Sequence, residues 1–501
     1  MAAPIHTYPF ILSWTLFCLL ILITPASYLL NEECESDSSS SEEWLNHGGD
    51  LSNRSESFRW ISSVETEYSE HNRNTYPKML SSLNSTFSRA TPTIVADDDH
   101  ELVVVGLCAP AAVVAMNRIN GELVWQTNLD SHVTAVITMS GTYYNGGFYV
   151  GTSSQEEIML GTEQCCTFRG SLSKLDIKTG AILWQTYMLP DNNGSTGGYA
   201  GAAIWGSSPS IDPHRNLVYI ATGNLYSVPS RISECQAREN NETVPSHKDE
   251  CVEDDNHSDS IVALDLGTGE IKWHHQLGGY DVWFASCNNL STPNCPPGPN
   301  PDADFGEAPM MLTINVNGSK HDVVVAAQKS GFVWALDRNN GAIVWFTQAG
   351  PGGSGGGGIW GAATDELRVY TNNPNKDRKN FTLVPSNNVT TSGGWLALDA
   401  SDGKILWAVA DPSNINNPIN GPVSVANGVM FAASTSPKGP IYAIDAESGQ
   451  ILWSYENGFV GVVGGVSISD GCIYVGQGLS LFTFYKGYNK TAATSLFAFC
   501  L

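Results

Sequence analysis

Positive charge is what this chain most lacks. Its 501 residues hold 25 Lys and Arg against 50 Asp and Glu, a formal net charge of −25. No basic stripe interrupts that excess, so nucleic acid and anionic membrane surfaces are poor partners. Long apolar runs are scarce as well. Past residue 27 no stretch is long enough to span a bilayer. Familiar catalytic signatures are missing too. There is no HExxH, no GxSxG with partners, no P-loop and no Rossmann fingerprint. No CxxCH occurs, which excludes a covalent c-type haem.

The one apolar run, residues 10–23, is interrupted only by Ser13 and Thr15 and is followed by Thr24-Pro25-Ala26-Ser27. That is signal-peptide length with small residues at a cleavage point, shorter than a membrane span. Residues 1–27 are therefore expected to be a signal peptide, with a signal anchor as the alternative. Ten Asn-x-Ser/Thr sequons, from Asn53 to Asn489, fit a glycoprotein of the secretory pathway. The chain ends Phe499-Cys500-Leu501, without an ER-retention tail. Removal of Cys18 leaves ten of the eleven cysteines, an even number suited to an oxidising compartment. Cys235 with Cys251, and Cys287 with Cys295, are spaced to staple long loops, but connectivity is open. No membrane association is expected after signal cleavage.

What the chain has in quantity is repetition. Six eleven-residue segments share one pattern: 115–125 (AMNRINGELVW), 174–184 (KLDIKTGAILW), 263–273 (ALDLGTGEIKW), 335–345 (ALDRNNGAIVW), 397–407 (ALDASDGKILW) and 443–453 (AIDAESGQILW). Each has Asp or Asn third, Gly seventh and Trp eleventh. The pattern reads as strand, tight turn, strand. The Gly supplies a positive φ, and the Asp side chain bonds turn amides. The shortest spacing between copies, 46 residues, is about one four-stranded propeller blade. A small sheet cannot bury its faces alone, so neighbours must stack around an axis. The Trp is the natural contact between blades, since one aromatic buries roughly 150–250 Å². The expected architecture is therefore all-β. Residues 28–43 read as an acidic, Ser-rich leader, and 44–501 as the repeat domain. Insertions are expected at 226–258 and 288–302, and a flexible glycine loop at 350–358. His274 and His275 alternate faces on a strand and read as a blade-surface pair.

The repeats and their surroundings resemble the pyrroloquinoline quinone (PQQ) dehydrogenases, of the polyvinyl alcohol dehydrogenase type. The resemblance covers nearly all of the chain after Trp44. It implies an eight-bladed β-propeller locked by tryptophan-docking motifs, with PQQ on the axis beside a Ca²⁺ ion. Trp205 in AAIWGSSP resembles the aromatic floor under the quinone, and Asn224 in YIATGN resembles a Ca²⁺ ligand. Asp304 in DADFGEAP resembles the catalytic carboxylate that takes the alcohol proton and touches Ca²⁺, with Asp302 as a nearby alternative. Lys329 in AAQKSGF resembles the cation that bonds the quinone oxygens and stabilises developing charge. Cys165-Cys166, ahead of Arg169, resemble the vicinal disulfide placed over PQQ in these enzymes.

Three features depart from the family. Alignment on Arg169-Gly170 puts Cys165 where relatives carry a Ca²⁺-ligating Glu, and sulfur is a poor Ca²⁺ ligand. Glu163 is a candidate replacement. Ile359 stands where alcohol-oxidising relatives carry Asn. The haem domain of the bacterial polyvinyl alcohol enzymes has no counterpart, so electrons would leave to an external acceptor. The resemblance implies a secreted oxidoreductase acting on an alcohol, a secondary alcohol or polyol. The alternatives are a binding or scaffold propeller that has lost PQQ, and an enzyme using the axial pocket without PQQ.

Overall fold

The computed structural model describes residues 88–500 apart from single positions and short stretches, the longest being 159–164, 239–249, 289–299, 413–420, 457–463 and 478–494. The expected signal peptide, the leader and Trp44 lie outside the described residues. Among the described residues no helix is long and apolar enough to cross a membrane.

Six four-stranded antiparallel sheets follow one another, at 93–128, 142–187, 210–276, 310–348, 363–410 and 424–456. A three-stranded sheet follows at 466–500. Strands are paired in chain order within each sheet, so every sheet is a local meander. The described residues thus hold seven such sheets, where eight blades are expected. The ring's closure is not among the described contacts.

Each repeat forms the third and fourth strands of a sheet, as in Ser260–Asp265 and Ile271–Gln276. All six turn glycines take positive φ, for example Gly269 at +74°. In the same turn Asp265 Oδ1 accepts the amides of Gly267 and Thr268, both at 2.9 Å. Sequence thus dictates the hairpin locally, before any packing.

Packing then joins the sheets. Successive residues of a strand point to opposite faces. In Ser319–Ala327, Val324 and Ala326 pack with Tyr219, Ala263 and Trp273 of the sheet before. Val323 and Val325 pack with Val369, Leu396 and Leu398 of the sheet after. The middle strands are apolar on both faces because both faces are covered. The repeat Trp adds a specific bond. Trp184 lies where a Cβ on Gly269 would sit 2.6 Å away, and its Nε1 donates to Leu266 O at 3.3 Å. Trp125 meets Gly180, Trp273 meets Gly341, Trp345 meets Gly403 and Trp407 meets Gly449 in the same way. The first strands also neighbour one another: Thr93–Asp97 contacts Thr142–Tyr144, which contacts Ser210–Asp212. Loops leaving those strands are thereby gathered together.

The expected insertion at 226–258 holds the α-helix Ser230–Gln236, closed by the Cys235–Cys251 disulfide. Cys165–Cys166 and Cys472–Cys500 are also bonded, while Cys108 is free and buried. Cys287 is disulfide-bonded, and Cys295 falls outside the described residues. His275 bonds Gly341 O of the next repeat, and His274 packs edge-on against His257.

Candidate active site

Four loops converge on one buried cluster. Glu157 comes from the 3-10 turn Glu156–Ile158, and Asn224 from the loop after Leu217–Ala221. Asp302 and Asp304 lie in the loop before Met310–Val316, and Lys329 follows Ser319–Ala327. Lys329 Nζ donates to Asp302 Oδ1 at 2.8 Å and to Asp304 Oδ2 at 2.9 Å. Asp304 Oδ1 accepts the Asn224 amide at 2.6 Å. A Cβ at position 223 would lie 2.7 Å from Asp304 Oδ1, so only glycine fits there. Carboxylate oxygens of Glu157, Asp302 and Asp304 lie within 4.8 Å of one another. Tyr226 O–H donates to Glu157 Oε2 at 3.3 Å.

The charges do not balance without help. Among the described residues, the carboxylates of Glu157, Asp302 and Asp304 meet the Lys329 ammonium, and the buried Asp259 and Asp281 also interact with Asp304 and Lys329. Burial, then the Asp304 carboxylate, pushes Glu157 up to about 8. Burial also drives Asp302 well above the usual carboxylate range, although Lys329 opposes it. Burial would lower Lys329, but Asp302, Asp304 and Glu157 outweigh it and keep the ammonium charged. A hard cation among these oxygens would relieve the repulsion. Asn224 completes the set. Its Nδ2 donates to Leu225 O at 2.9 Å and Trp283 O at 2.7 Å, which fixes the amide. Its Oδ1 is buried without a partner. A fixed, unsatisfied amide oxygen costs about 1–3 kcal/mol unless a donor or a cation meets it. The donor set therefore fits an oxygen-ligated metal ion.

A flat aromatic site adjoins the cluster. Lys329 Nζ sits 4.9 Å from the Trp205 ring centroid. Trp205 Nε1 is buried without a partner. Trp360 stands edge-on to Trp205 at 5.1 Å, and the Arg89 guanidinium lies 4.7 Å over Trp360. A Cβ on Gly306 would come within 2.8 Å of the Trp205 ring, so the indole rests in a glycine cradle. Asp302 and Trp360 hold φ of +59° and +77°, left-handed values that non-glycine residues rarely adopt. A buried indole with a charged ammonium over its face suits a planar anionic cofactor.

Trp205, Asn224, Asp304 and Lys329 are thus brought together. Cys165, Cys166 and Arg169 are not. The two sulfurs group with Glu156 rather than with the cluster. The Arg169 guanidinium pairs with Asp191 at 2.9 Å, bonds Leu189 O and lies over the Tyr187 ring. Alignment places Cys165 in the slot of a Ca²⁺-ligating Glu; the glutamate that stands with Asp302 and Asp304 is Glu157, from the short turn upstream. Its neighbour Glu156 points the other way, to the amides of Thr167 and Phe168. Glu163 falls outside the described residues. Arg89 was also missed, because it belongs to no motif.

Residues 150–352 match the family described as glucose/ethanol/alcohol dehydrogenase, beta-propeller domain, and residues 329–485 match that of outer membrane protein assembly factor BamB. A polyvinylalcohol dehydrogenase of Pseudomonas sp is 31% identical over 367 residues, covering 69% of this chain and 50% of that protein. One from Sphingopyxis sp. (strain 113P3) is 31% identical over 402 residues, covering 73% and 56%. The chain spans about half the length of these curated relatives. The solved quinohemoprotein alcohol dehydrogenase ADHIIG of Pseudomonas putida HK5 shares the fold with TM-score 0.55 and 18% identity, covering 76% of this chain and 61% of that one. The dehydrogenase match spans the turn of Glu157, the loops of Asn224, Asp302 and Asp304, and Lys329. The chain belongs to the PQQ-dependent quinoprotein alcohol dehydrogenase superfamily.

Proposed function

We propose that the protein is a secreted, PQQ-dependent dehydrogenase that oxidises an alcohol, a secondary alcohol or polyol, and passes electrons to an external acceptor. The observation that carries this reading is Lys329, buried against the Trp205 face and bridging Asp302 and Asp304. When bound, PQQ supplies an electron-accepting carbonyl that the side chains themselves lack. Trp205 would carry its planar ring. Glu157, Asn224, Asp302 and Asp304 would hold a Ca²⁺-like ion. Asp304 takes the substrate hydroxyl proton; the Asn224 amide and Lys329 hold its two oxygens in place. The Lys329 ammonium stabilises negative charge on the neighbouring oxygen as the carbinol is oxidised. An eight-bladed ring with tryptophan docking would set the four loops around a common axis.

A non-catalytic propeller is the second reading, favoured by the BamB-like match over 329–485. The cluster argues against it, since a scaffold has no use for three repelling carboxylates, two of them buried. The test is reconstitution with PQQ and Ca²⁺, followed by dye reduction with assorted alcohols. Asp304→Asn should cut turnover by about 10²–10⁴-fold. No dye reduction by wild type, or equal rates in Asp304→Asn, would sink the proposal.

A further inference from the structure

Ten Asn-x-Ser/Thr sequons look alike in the sequence, but the folded chain does not treat them alike. Four of them, at Asn193, Asn256, Asn380 and Asn388, fall among the described residues. An N-linked glycan replaces a hydrogen of Asn Nδ2, so that nitrogen must reach solvent with open space beyond it. Three of the four positions meet this demand. Asn193 stands on a turn, where Ser195 N donates back to Asn192 O at 2.9 Å. Its φ of +53° is a left-handed value that Asn tolerates in turns. Asn193, Gly194 and Ser195 are all exposed, and nothing lies within 4 Å of a Cβ placed on Gly194. Asn380 and Asn388 share one hairpin, whose strands Phe381–Thr382 and Val389–Thr390 pair antiparallel. Asn380 is at its root and Asn388 at its tip, both exposed.

Asn256 is the opposite case. It is 1% exposed, and His257 and Ser258, the rest of its sequon, are buried with it. Asn256 Oδ1 accepts Ser258 N at 3.1 Å, and Ser258 Oγ accepts Gln276 Nε2 at 3.1 Å. His257 N donates to Met188 O at 2.9 Å, which seats the sequon against the end of the strand Ile182–Tyr187 in the sheet before. Protein interiors are packed about as densely as organic crystals. A sugar on Asn256 therefore has no room unless the whole segment leaves its seat.

We propose that Asn193, Asn380 and Asn388 carry N-linked glycans and that Asn256 stays bare in the folded protein. The inference rests on the secreted reading and adds which side chains are modified. The pair on the hairpin also has a use. Ala408 N donates to Val384 O at 2.7 Å, so the hairpin lies along the outer edge of the strand Ile405–Ala410. Strand edges left open are templates for pairing with another chain. Val389, beside Asn388, is an apolar side chain 66% exposed on that hairpin. Glycans at the root and the tip bar a second chain from this edge.

The test uses the full chain expressed in cultured eukaryotic cells. Peptide N-glycosidase in heavy-oxygen water converts each glycosylated Asn to a labelled Asp, which peptide mass spectrometry locates. Positions 193, 380 and 388 should carry the label in most molecules, and position 256 should carry none. Asn193→Gln, Asn380→Gln and Asn388→Gln should each remove the mass of one glycan and still be secreted. The double variant Asn380→Gln with Asn388→Gln should scatter light several-fold more than wild type on concentration. Label at position 256, or an unlabelled Asn at any of the three while other sequons are modified, overturns the assignment and leaves the secreted reading standing. Unchanged scattering in the double variant overturns the shielding role. A chain that stays in the cytosol without any glycan removes the secreted reading, and this inference with it.

Discussion

Gly269→Ala measures what one inter-sheet contact contributes. Gly269 has φ +74°, and a Cβ there would lie 2.6 Å from two carbons of the Trp184 ring. Two penalties follow. Placing an L-residue in the left-handed region costs about 1–2 kcal/mol. Forcing the indole away costs about a further 1–3 kcal/mol of overpacking. Gly121 separates them. It occupies the same place in the first repeat with the same φ of +74°, and nothing lies within 4 Å of its Cβ position. Gly121→Ala should therefore carry the backbone penalty alone. The difference between the variants, about 1–3 kcal/mol, belongs to the Trp184 contact. At about 2 °C per kcal/mol for a large domain, Gly269→Ala should melt roughly 2–6 °C below Gly121→Ala. Circular dichroism melts at fixed calcium and protein concentration would read this. Equal melting temperatures for the two variants would refute the claim that the repeat Trp binds the next sheet. A further drop on adding Trp184→Ala to Gly269→Ala, equal to that in wild type, would do the same, because coupled neighbours should not be additive.

Three other changes test the site and its surroundings. Lys329→Met removes the ammonium that bridges Asp302 and Asp304, and should destabilise the fold by about 3–5 kcal/mol in chelator, read by denaturant titration. Calcium should raise the melting temperature of wild type, with the gain growing with concentration, and Glu157→Gln should weaken that effect about tenfold in concentration; a melt unresponsive to calcium would count against the oxygen cluster as a cation site. His257 gives a pH signature: burial, then His274, pushes it down to about 4 from an ordinary value near 6.5. A histidine depressed on folding favours the native state fully above pH 6.5. That contribution fades as pH falls through 4, by at most about 3 kcal/mol. His257→Gln should flatten stability across pH 4–6.5, and an unchanged slope would exclude the assignment.

The hairpins were legible because their causes are local. Asp265, Gly269 and Trp273 sit within nine residues and specify a turn without help from the rest of the chain. Asp304, Lys329, Asn224 and Trp205 were legible through motifs around them. The remaining site residues depend on distance in the chain. Arg89 reaches the carbonyl of Trp205, 116 residues away, from a segment with no pattern. Asp302 looked like an understudy for Asp304, yet both receive the same ammonium. Glu157 lies in no motif, and a 3-10 turn, not a periodicity, turns it to the cluster while Glu156 faces the other way. Arg169 carried a motif, but its guanidinium pairs with Asp191 and lies over the Tyr187 ring.

That pair of adjacent glutamates has a mechanical meaning. While Glu157 joins the cluster, Glu156 accepts the amides of Thr167 at 3.1 Å and Phe168 at 3.0 Å, just beyond the bonded cysteines. One short turn is thus a lever with two arms. Its inner arm is set by whatever cation the oxygens hold, and its outer arm grips the segment carrying Cys165–Cys166. Opening that disulfide should loosen the outer grip and shift the inner carboxylate, so a reductant would lower cation affinity although neither sulfur is a ligand.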